Sequence, residues 1–347
     1  MGKSPKTSGS GKARLFALPL DTPPMEARSA QELPEGANWQ YEPKWDGFRC
    51  LAFKEGSQID LRAKSGKPLG RYFPEMITCL RNWQSERFVV DGELVVEING
   101  QPAFDALQMR LHPAESRIRK LASETPARLV LFDLLASEDG KSVLAQPLSQ
   151  RRKLLEQLFR RVRQDALLEN IVLSPITGQV KQALKWLSEA GHGGFDGVVA
   201  KRAEGMYEAG ERVMVKVKRL RTADCVVGGF RYERQSREVG SLLLGLYDKI
   251  GKLNHVGFTS TIRDDERGVL TKRLESLREP PGFTGTSPGG ISRWSTQRSS
   301  QWEPLRPELV VEVRFDHITG NRFRHGTKLM RWRPDKRPDQ CTVEQLV

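Results

Sequence analysis

The chain has 347 residues, 38% hydrophobic and 29% charged, and a mass of 39.2 kDa, which suits two soluble globular domains and excludes a wholly disordered polymer. Lys and Arg total 56 against 43 Asp and Glu, and the net charge of +13 points to a polyanionic partner, of which nucleic acid is the commonest. No apolar run approaches the roughly 20 residues that span a bilayer, the start MGKSPKTSGSGKAR lacks the apolar stretch of a secretory leader, and the scattered Cys50, Cys79, Cys225 and Cys341 exclude a disulfide framework and a clustered zinc site, so a reducing cytoplasm is expected.

Residues 1–14, rich in Gly, Ser, Lys and Thr, predict a disordered basic tail. A first domain is expected over 15–220. FRCLAF and IDLRA, separated by KEGSQ, predict a hairpin. RFVVDGELVVEI predicts a strand broken at the turn-capable Gly92, with Asp91, Glu93, Val95 and Glu97 on one face, for which solvated acids are the plain alternative, and Val90, Leu94, Val96 and Ile98 on the apolar one. LSQRRKLLEQLFRRV carries a helical stripe at Leu154, Leu155, Leu158 and Phe159, with Ser149 placed to cap it, and VKQALKWLSEA predicts a second amphipathic helix. FDGVVAKR and RVMVKVKR return to strands; in the latter Val213, Val215 and Val217 are expected to face the core and Arg212, Lys216 and Lys218 the other side. With no repeating βαβ unit, the fold class is α+β with antiparallel sheets. From 221 to 347 short strands dominate, with one helix over about 261–277, a loop rich in Pro, Gly and Ser, and the strands PELVVEVRF and NRFRHGTKLMRWR, a pattern that predicts a small β-barrel of the OB-fold kind.

The most informative string is Tyr41-Glu42-Pro43-Lys44-Trp45-Asp46-Gly47-Phe48-Arg49. A lysine at a strand end before a Gly turn, with Glu42, Lys44 and Asp46 on one face of an extended segment, suits a nucleophile toward phosphorus; an exposed charged turn is the plain alternative. Lys216 and Lys218 on one face repel each other, a conflict that a bound polyphosphate would remove, the alternative being an edge strand protected by lysine. A free lysine titrates near 10.4, so roughly 1 in 2,500 is neutral at pH 7, and nearby cations would favour the neutral form.

In order, these pieces resemble the covalent nucleotidyltransferases, that is, DNA ligases, RNA ligases and mRNA capping enzymes. EPKWDGFR resembles the nucleophile motif, RAKSGKPLGRYFPE motif Ia, VVDGELV motif III, LVLFDLL motif IIIa, FDGVVAKR motif IV, VMVKVK motif V and RHGTKLMRWRPDK motif VI. The stretch WEPLRPELVVEV with the RWRPDK ending is most similar to small bacterial ATP-dependent DNA ligases, the LigC type and the ligase domains of end-joining proteins. The resemblance implies an adenylation domain followed by an OB-fold domain, ATP as cofactor with Mg²⁺ or Mn²⁺, and nicked duplex DNA as partner. It implies Lys44 as the residue that accepts AMP, assisted by Lys216, Lys218 and Asp46; Glu42 recognising adenine; Arg49 and Arg62 contacting AMP and the 5′-phosphate end; Glu93 on the ribose and, with Asp196, on the metal; and Phe132 stacked on adenine. Arg331, Arg333 and Lys336 would orient the leaving pyrophosphate.

Two positions depart from the pattern: Asp196 stands where Glu is usual, and Met214 where an aromatic or leucine is common. A capping-like or RNA-ligase activity and a nonenzymatic nucleic-acid binder are the alternatives. Because few residues precede the core, limited encirclement and weak nick binding are expected, improved by separate repair polymerases, nucleases or end-binding proteins. A nucleoid-associated monomer is expected, in short-patch repair, end joining or backup nick sealing.

Overall fold

The computed structural model describes residues 15–160, 168–190, 194–289 and 301–346, so the expected basic tail at 1–14 lies outside them. The chain divides into two compact units, one ending at Lys218 and the next beginning at Arg219. No helix among the described residues is long and apolar enough to cross a membrane.

The first unit runs β1 (Ala27–Ser29), β2 (Trp39–Trp45), β3 (Phe48–Glu55), β4 (Gln58–Ala63), α1 (Pro74–Asn82), β5 (Arg87–Ile98), β6 (Gln101–Pro102), α2 (Phe104–Met109), α3 (Glu115–Glu124), β7 (Ala127–Ala136), α4 (Leu148–Arg160), β8 (Ile171–Leu173), α5 (Val180–Glu189), β9 (Phe195–Arg202) and β10 (Met214–Lys218). One sheet has the order β1-β10-β9-β2 and the other β4-β3-β5-β7-β8, with β6 on β5. The sheets are not wholly antiparallel as expected, because β1 pairs with β10, and β8 with β7, in parallel.

Alternation along β3 shows how the layers form. Cys50 and Ala52 enter a core covered by the helices, while Leu51 and Phe53 enter a second core with Met25, Tyr207 and Met214. A third core joins Val198, Ala200, Val215 and Val217 to Ala183 of α5. The expected hairpin of β3 and β4 is present with a two-residue turn at Gly56-Ser57. Gly92 makes no turn. β5 is continuous for 12 residues, and a Cβ at Gly92 would stand 2.6 Å from the Val130 carbonyl oxygen, so glycine serves close strand approach. The solvated acid face is overturned as well: β5 is buried on both sides, Asp91 is fully buried, and Ile98 is exposed. On β10, Val215 and Val217 are buried as expected, but Val213 precedes the strand and is exposed. Because β1 covers β10 from Met214 to Lys216, Lys216 does not guard an open edge.

Helix α4 begins at Leu148, so Ser149 lies inside it and is no cap. The helix is anchored instead by a fully buried ion pair: Arg151 Nε and Nη2 donate to the Asp133 carboxylate at 2.8 and 2.9 Å, and Nη1 donates to the Gln146 and Gly205 carbonyls. Lys54 Nζ similarly donates to the carbonyls of Leu80, Arg81 and Trp83, closing the C-terminal end of α1.

The second unit runs β11 (Arg221–Tyr232), β12 (Val239–Tyr247), β13 (Leu253–Thr259), α6 (Asp264–Glu275), β14 (Glu303–Pro304), β15 (Val310–Phe315), β16 (Ile318–Thr319), β17 (Arg322–Phe323) and β18 (Lys328–Trp332). Its antiparallel sheet has the order β13-β12-β11-β15-β18, with β14 on β11, around a core that includes Phe230, Leu244 and Val311. The long final strand expected from NRFRHGTKLMRWR is divided: β17 pairs with β16, and β18 pairs with β15.

The buried pair yields a stability test. Arg151→Met strands the Asp133 carboxylate and should cost about 3–5 kcal/mol in urea unfolding, and adding Asp133→Asn should recover part of that loss.

Candidate active site

A cavity of about 220 Å³ opens between the two sheets of the first unit. Two irregularities in the ladders aim its chemistry. Between Pro43↔Val198 and Trp45↔Phe195, two residues of β9, Asp196 and Gly197, stand opposite one residue of β2, Lys44. Between Asp91↔Asp133 and Gly92↔Leu131, Phe132 is the extra residue of β7. Such bulges bend a strand and redirect a side chain.

At the first bulge, Asp196 is nearly buried between two ammonium groups, with Lys44 Nζ 2.8 Å from Oδ1 and Lys218 Nζ 2.9 Å from Oδ2. Gly197 allows this closeness, since a Cβ there would lie 2.2 Å from the Val217 carbonyl oxygen. Burial works to raise the Asp196 carboxyl, and Lys44 and Lys218 outweigh it, holding the group below the usual carboxylate range. Asp196 Oδ1 is buried and, despite the Lys44 ammonium beside it, lacks a partner at hydrogen-bonding angles. Lys216 lines the cavity; burial, then the charges of Lys44, Lys218 and Lys64, lower its ammonium.

At the second bulge, Phe132 forms an apolar wall. The Arg49 guanidinium lies 4.5 Å and Lys201 Nζ 4.6 Å from its ring centre. Both cations are held from behind. Lys201 Nζ donates to Glu42 Oε2 at 2.9 Å, and Gln40 Nε2 donates to Oε1 at 2.9 Å. Arg49 grips Asp91 through Nε and Nη2, both at 2.6 Å, and Asp91 holds the guanidinium above its ordinary value against the effect of burial. Tyr207 Oη donates to Asp91 Oδ2 and accepts from the Met25 N–H, tying the segment before β1 to the cavity wall. Glu93 has no such compensation: burial raises its carboxyl to about 7, only partly opposed by Arg49 and Lys44.

The expected residues therefore divide. Glu42, Lys44, Arg49, Glu93, Phe132 and Lys216 line the cavity, with Asp196 and Lys218 bonded at its lysine. Asp46 follows β2 and does not line it. Arg62 does not either: its guanidinium pairs with Asp60 of the same strand, and Lys64, two residues on, lines the cavity instead, paired with Glu26 at 2.9 Å. Arg331, Arg333 and Lys336 belong to the second unit and engage its own acids. Sequence reasoning missed Lys201, Lys64, Asp91 and Tyr207. Lys201 is the penultimate residue of FDGVVAKR, where alternation places it with Val199 on the cavity side; nothing local marks Tyr207. Among the described residues no group of three or more His, Cys, Asp or Glu could hold a metal ion.

The arrangement, a lysine against a buried acid, more cations alongside and an aromatic wall, suits an activated amine facing a nucleotide phosphate. A family model described as "ATP dependent DNA ligase domain" matches residues 24–218, and one described as "ATP dependent DNA ligase C terminal region" matches 235–336. The chain is 42% identical over 341 residues to DNA ligase C1 of Mycolicibacterium smegmatis and 41% over 344 residues to DNA ligase C of Mycobacterium tuberculosis, covering 95% of each chain in both comparisons. Among solved structures it is similar to the ligase domain from M. tuberculosis LigD, with 27% identity, a TM-score of 0.50, and coverage of 93% of this chain and 98% of that one.

The raised carboxyl of Glu93 sets a pH test. A proton held to about 7 in the folded state and released near 4.5 on unfolding stabilises the fold at low pH; that stability falls as pH rises from about 4.5 to 7 and is flat above. Glu93→Gln should lack this decline, so urea unfolding should show the variant gaining about 1–3 kcal/mol on wild type between pH 4.5 and pH 8.

Proposed function

The chain belongs to the ATP-dependent DNA ligases, and we propose that Lys44 is the residue through which it adenylylates itself and then seals 3′-hydroxyl/5′-phosphate nicks in duplex DNA. The observation that carries this reading is the placement of Lys44 Nζ 2.8 Å from Asp196 at a cavity also lined by Phe132, Glu42 and Lys216.

In the first step the Lys44 amine attacks the α-phosphorus of ATP, a P–N bond forms, and the bond to pyrophosphate breaks. A 5′-phosphate oxygen at the nick then takes the adenylyl group and returns Lys44 to its free form. Last, the 3′-hydroxyl attacks the activated 5′-phosphate, and AMP leaves. Phe132 supplies the stacking surface for adenine, Glu42 an acceptor near the base, and Glu93 an acceptor for the ribose. Lys201 and Arg49 stiffen the Phe132 wall, and Lys216 and Lys218 meet charge on the α-phosphate. Lys64 is nearer this chemistry than Arg62, which its pair with Asp60 turns to a structural role.

Mg²⁺, or Mn²⁺ in its place, would be held by Asp196, with phosphate oxygens and water completing the shell, and would supply positive charge at the phosphates. The Asp196 carboxyl, held below the usual carboxylate range at the cavity's lysine, is the hard oxygen donor such a cation takes, and a metal bound mainly by substrate needs no three-residue cluster. Glu93 remains a candidate for an outer contact to the same cation.

We read the second unit as an OB-type barrel. Support comes from its five-strand order and from the bridge between Thr259, at the end of β13, and Thr327, just before β18. Arg331, Arg333 and Lys336 would orient the pyrophosphate in the first step. The basic surface would grip DNA backbone without reading sequence. A repair role, with separate polymerases or end-binding proteins preparing the ends, follows from this activity.

Incubation with α-labelled ATP and metal should leave label on wild type and none on Lys44→Ala, with a mass increase of about 329 Da on the Lys44 peptide, chased off by nicked duplex. Label on another residue, or from GTP alone, would overturn the assignment. In the same assay Arg331→Ala should slow self-adenylation more than sealing of a pre-adenylated nick; equal loss in both would reject its role with pyrophosphate.

A further inference from the structure

The cations of the RWRPDK segment are not loose. Backbone bonds fold it into a turn: the Arg333 N–H donates to the Val310 carbonyl at 2.8 Å, and the Lys336 N–H donates to the Arg333 carbonyl at 3.2 Å. Residues 333 and 336 thus close a four-residue turn with Pro334 at its second position, where a fixed φ favours it. Both side chains then descend onto one carboxylate. Arg333 Nη1 donates to Asp224 Oδ1 at 2.9 Å, and Lys336 Nζ donates to Asp224 Oδ2 at 2.6 Å. Arg331 donates to Glu312 Oε2 at 2.6 Å, an oxygen that also lies 4.0 Å from Arg333 Nη1.

Asp224 is a fixed post. It lies within β11, paired with Glu312 of β15, and it is buried. The Gln345 side chain clamps its main chain from both sides, accepting from the Asp224 N–H at 3.0 Å and donating to the Asp224 carbonyl at 3.1 Å. Asp335, which also bonds Arg333, sits in the turn itself with its side chain 63% exposed, so an incoming anion can displace it. An acid that merely held the place of a phosphate would resemble Asp335; one built into a strand and clamped at both backbone groups cannot withdraw.

We propose that Asp224 is a positioning residue for the first step, spacing Arg333 and Lys336 as a two-pronged fork for the polyphosphate of ATP. The inference rests on the reading that these cations act in self-adenylation. Nothing in the sequence resemblance singles out Asp224, which lies about 110 residues before the cations it holds.

The test uses the full chain. Asp224→Asn keeps the shape and removes the charge. Its self-adenylation should slow by about tenfold or more while sealing of a pre-adenylated nick stays within about twofold. In an Arg333→Ala/Lys336→Ala background, Asp224→Asn should add no further loss, because a residue acting only through those cations has nothing left to position. Unchanged or faster self-adenylation in the single variant would overturn the proposal, the faster outcome marking a place-holding anion. Equal loss in both steps, or additive loss in the combined variant, would overturn it in favour of a general structural role. If instead Arg333→Ala/Lys336→Ala self-adenylates at the wild-type rate, the reading of those cations fails; if that variant is slow and Asp224→Asn is normal, only the present inference fails.

Discussion

The candidate active-site cavity depends on a single carboxylate shared by two lysines. Asp196 reaches Lys44 and Lys218 because β9 carries one residue more than β2 at that point and because Gly197 lets β9 and β10 approach. The pairing offsets the desolvation of three charges at once, so Lys44 can stand at the cavity while largely withdrawn from water. It also leaves the lysine conditional. In the proposed reaction, whatever drew Asp196 away would leave the Lys44 side chain beside Lys216 and Lys218.

The rest of the wall follows the same logic of charges held from behind. Lys201 rests on Glu42 and Arg49 on Asp91, and both present themselves to the ring of Phe132. In the second unit Asp224 does for Arg333 and Lys336 what Asp91 does for Arg49. Acids in this protein act mostly as supports for cations, which explains how a chain of net charge +13 buries so many charged side chains in its interior.

What could be read from the sequence was the local pattern. The hairpin of β3 and β4, the helices at Leu148–Arg160 and Val180–Glu189 and the inward Val215 and Val217 all follow from periodicity. Alternation failed where strands are buried on both faces. In β5 it separates Asp91 and Glu93 correctly from Val90 and Leu94, yet a single strand cannot say that a second sheet covers the acidic side. At Arg62 the expectation came from the resemblance and not from alternation, and there Asp60 pairs with the guanidinium while Lys64 lines the cavity. Tyr207, bonded to the Asp91 that holds Arg49, and Lys201, beside Phe132, are distant in sequence from those partners, so only the fold brings them together.

The aromatic wall owes its position to a residue that the regular ladder has no room for. Phe132 is supernumerary in β7, flanked by Leu131 and Asp133, which pair normally with β5. Deleting that one residue would remove the interruption between Asp91 and Gly92, leaving the one between Val89 and Val90, and would tighten the sheet at the expense of the proposed adenine platform. Mutational drift toward a better-formed sheet and retention of nucleotide affinity therefore pull in opposite directions at this position, so a more robust homologue without the bulge would be a poorer enzyme.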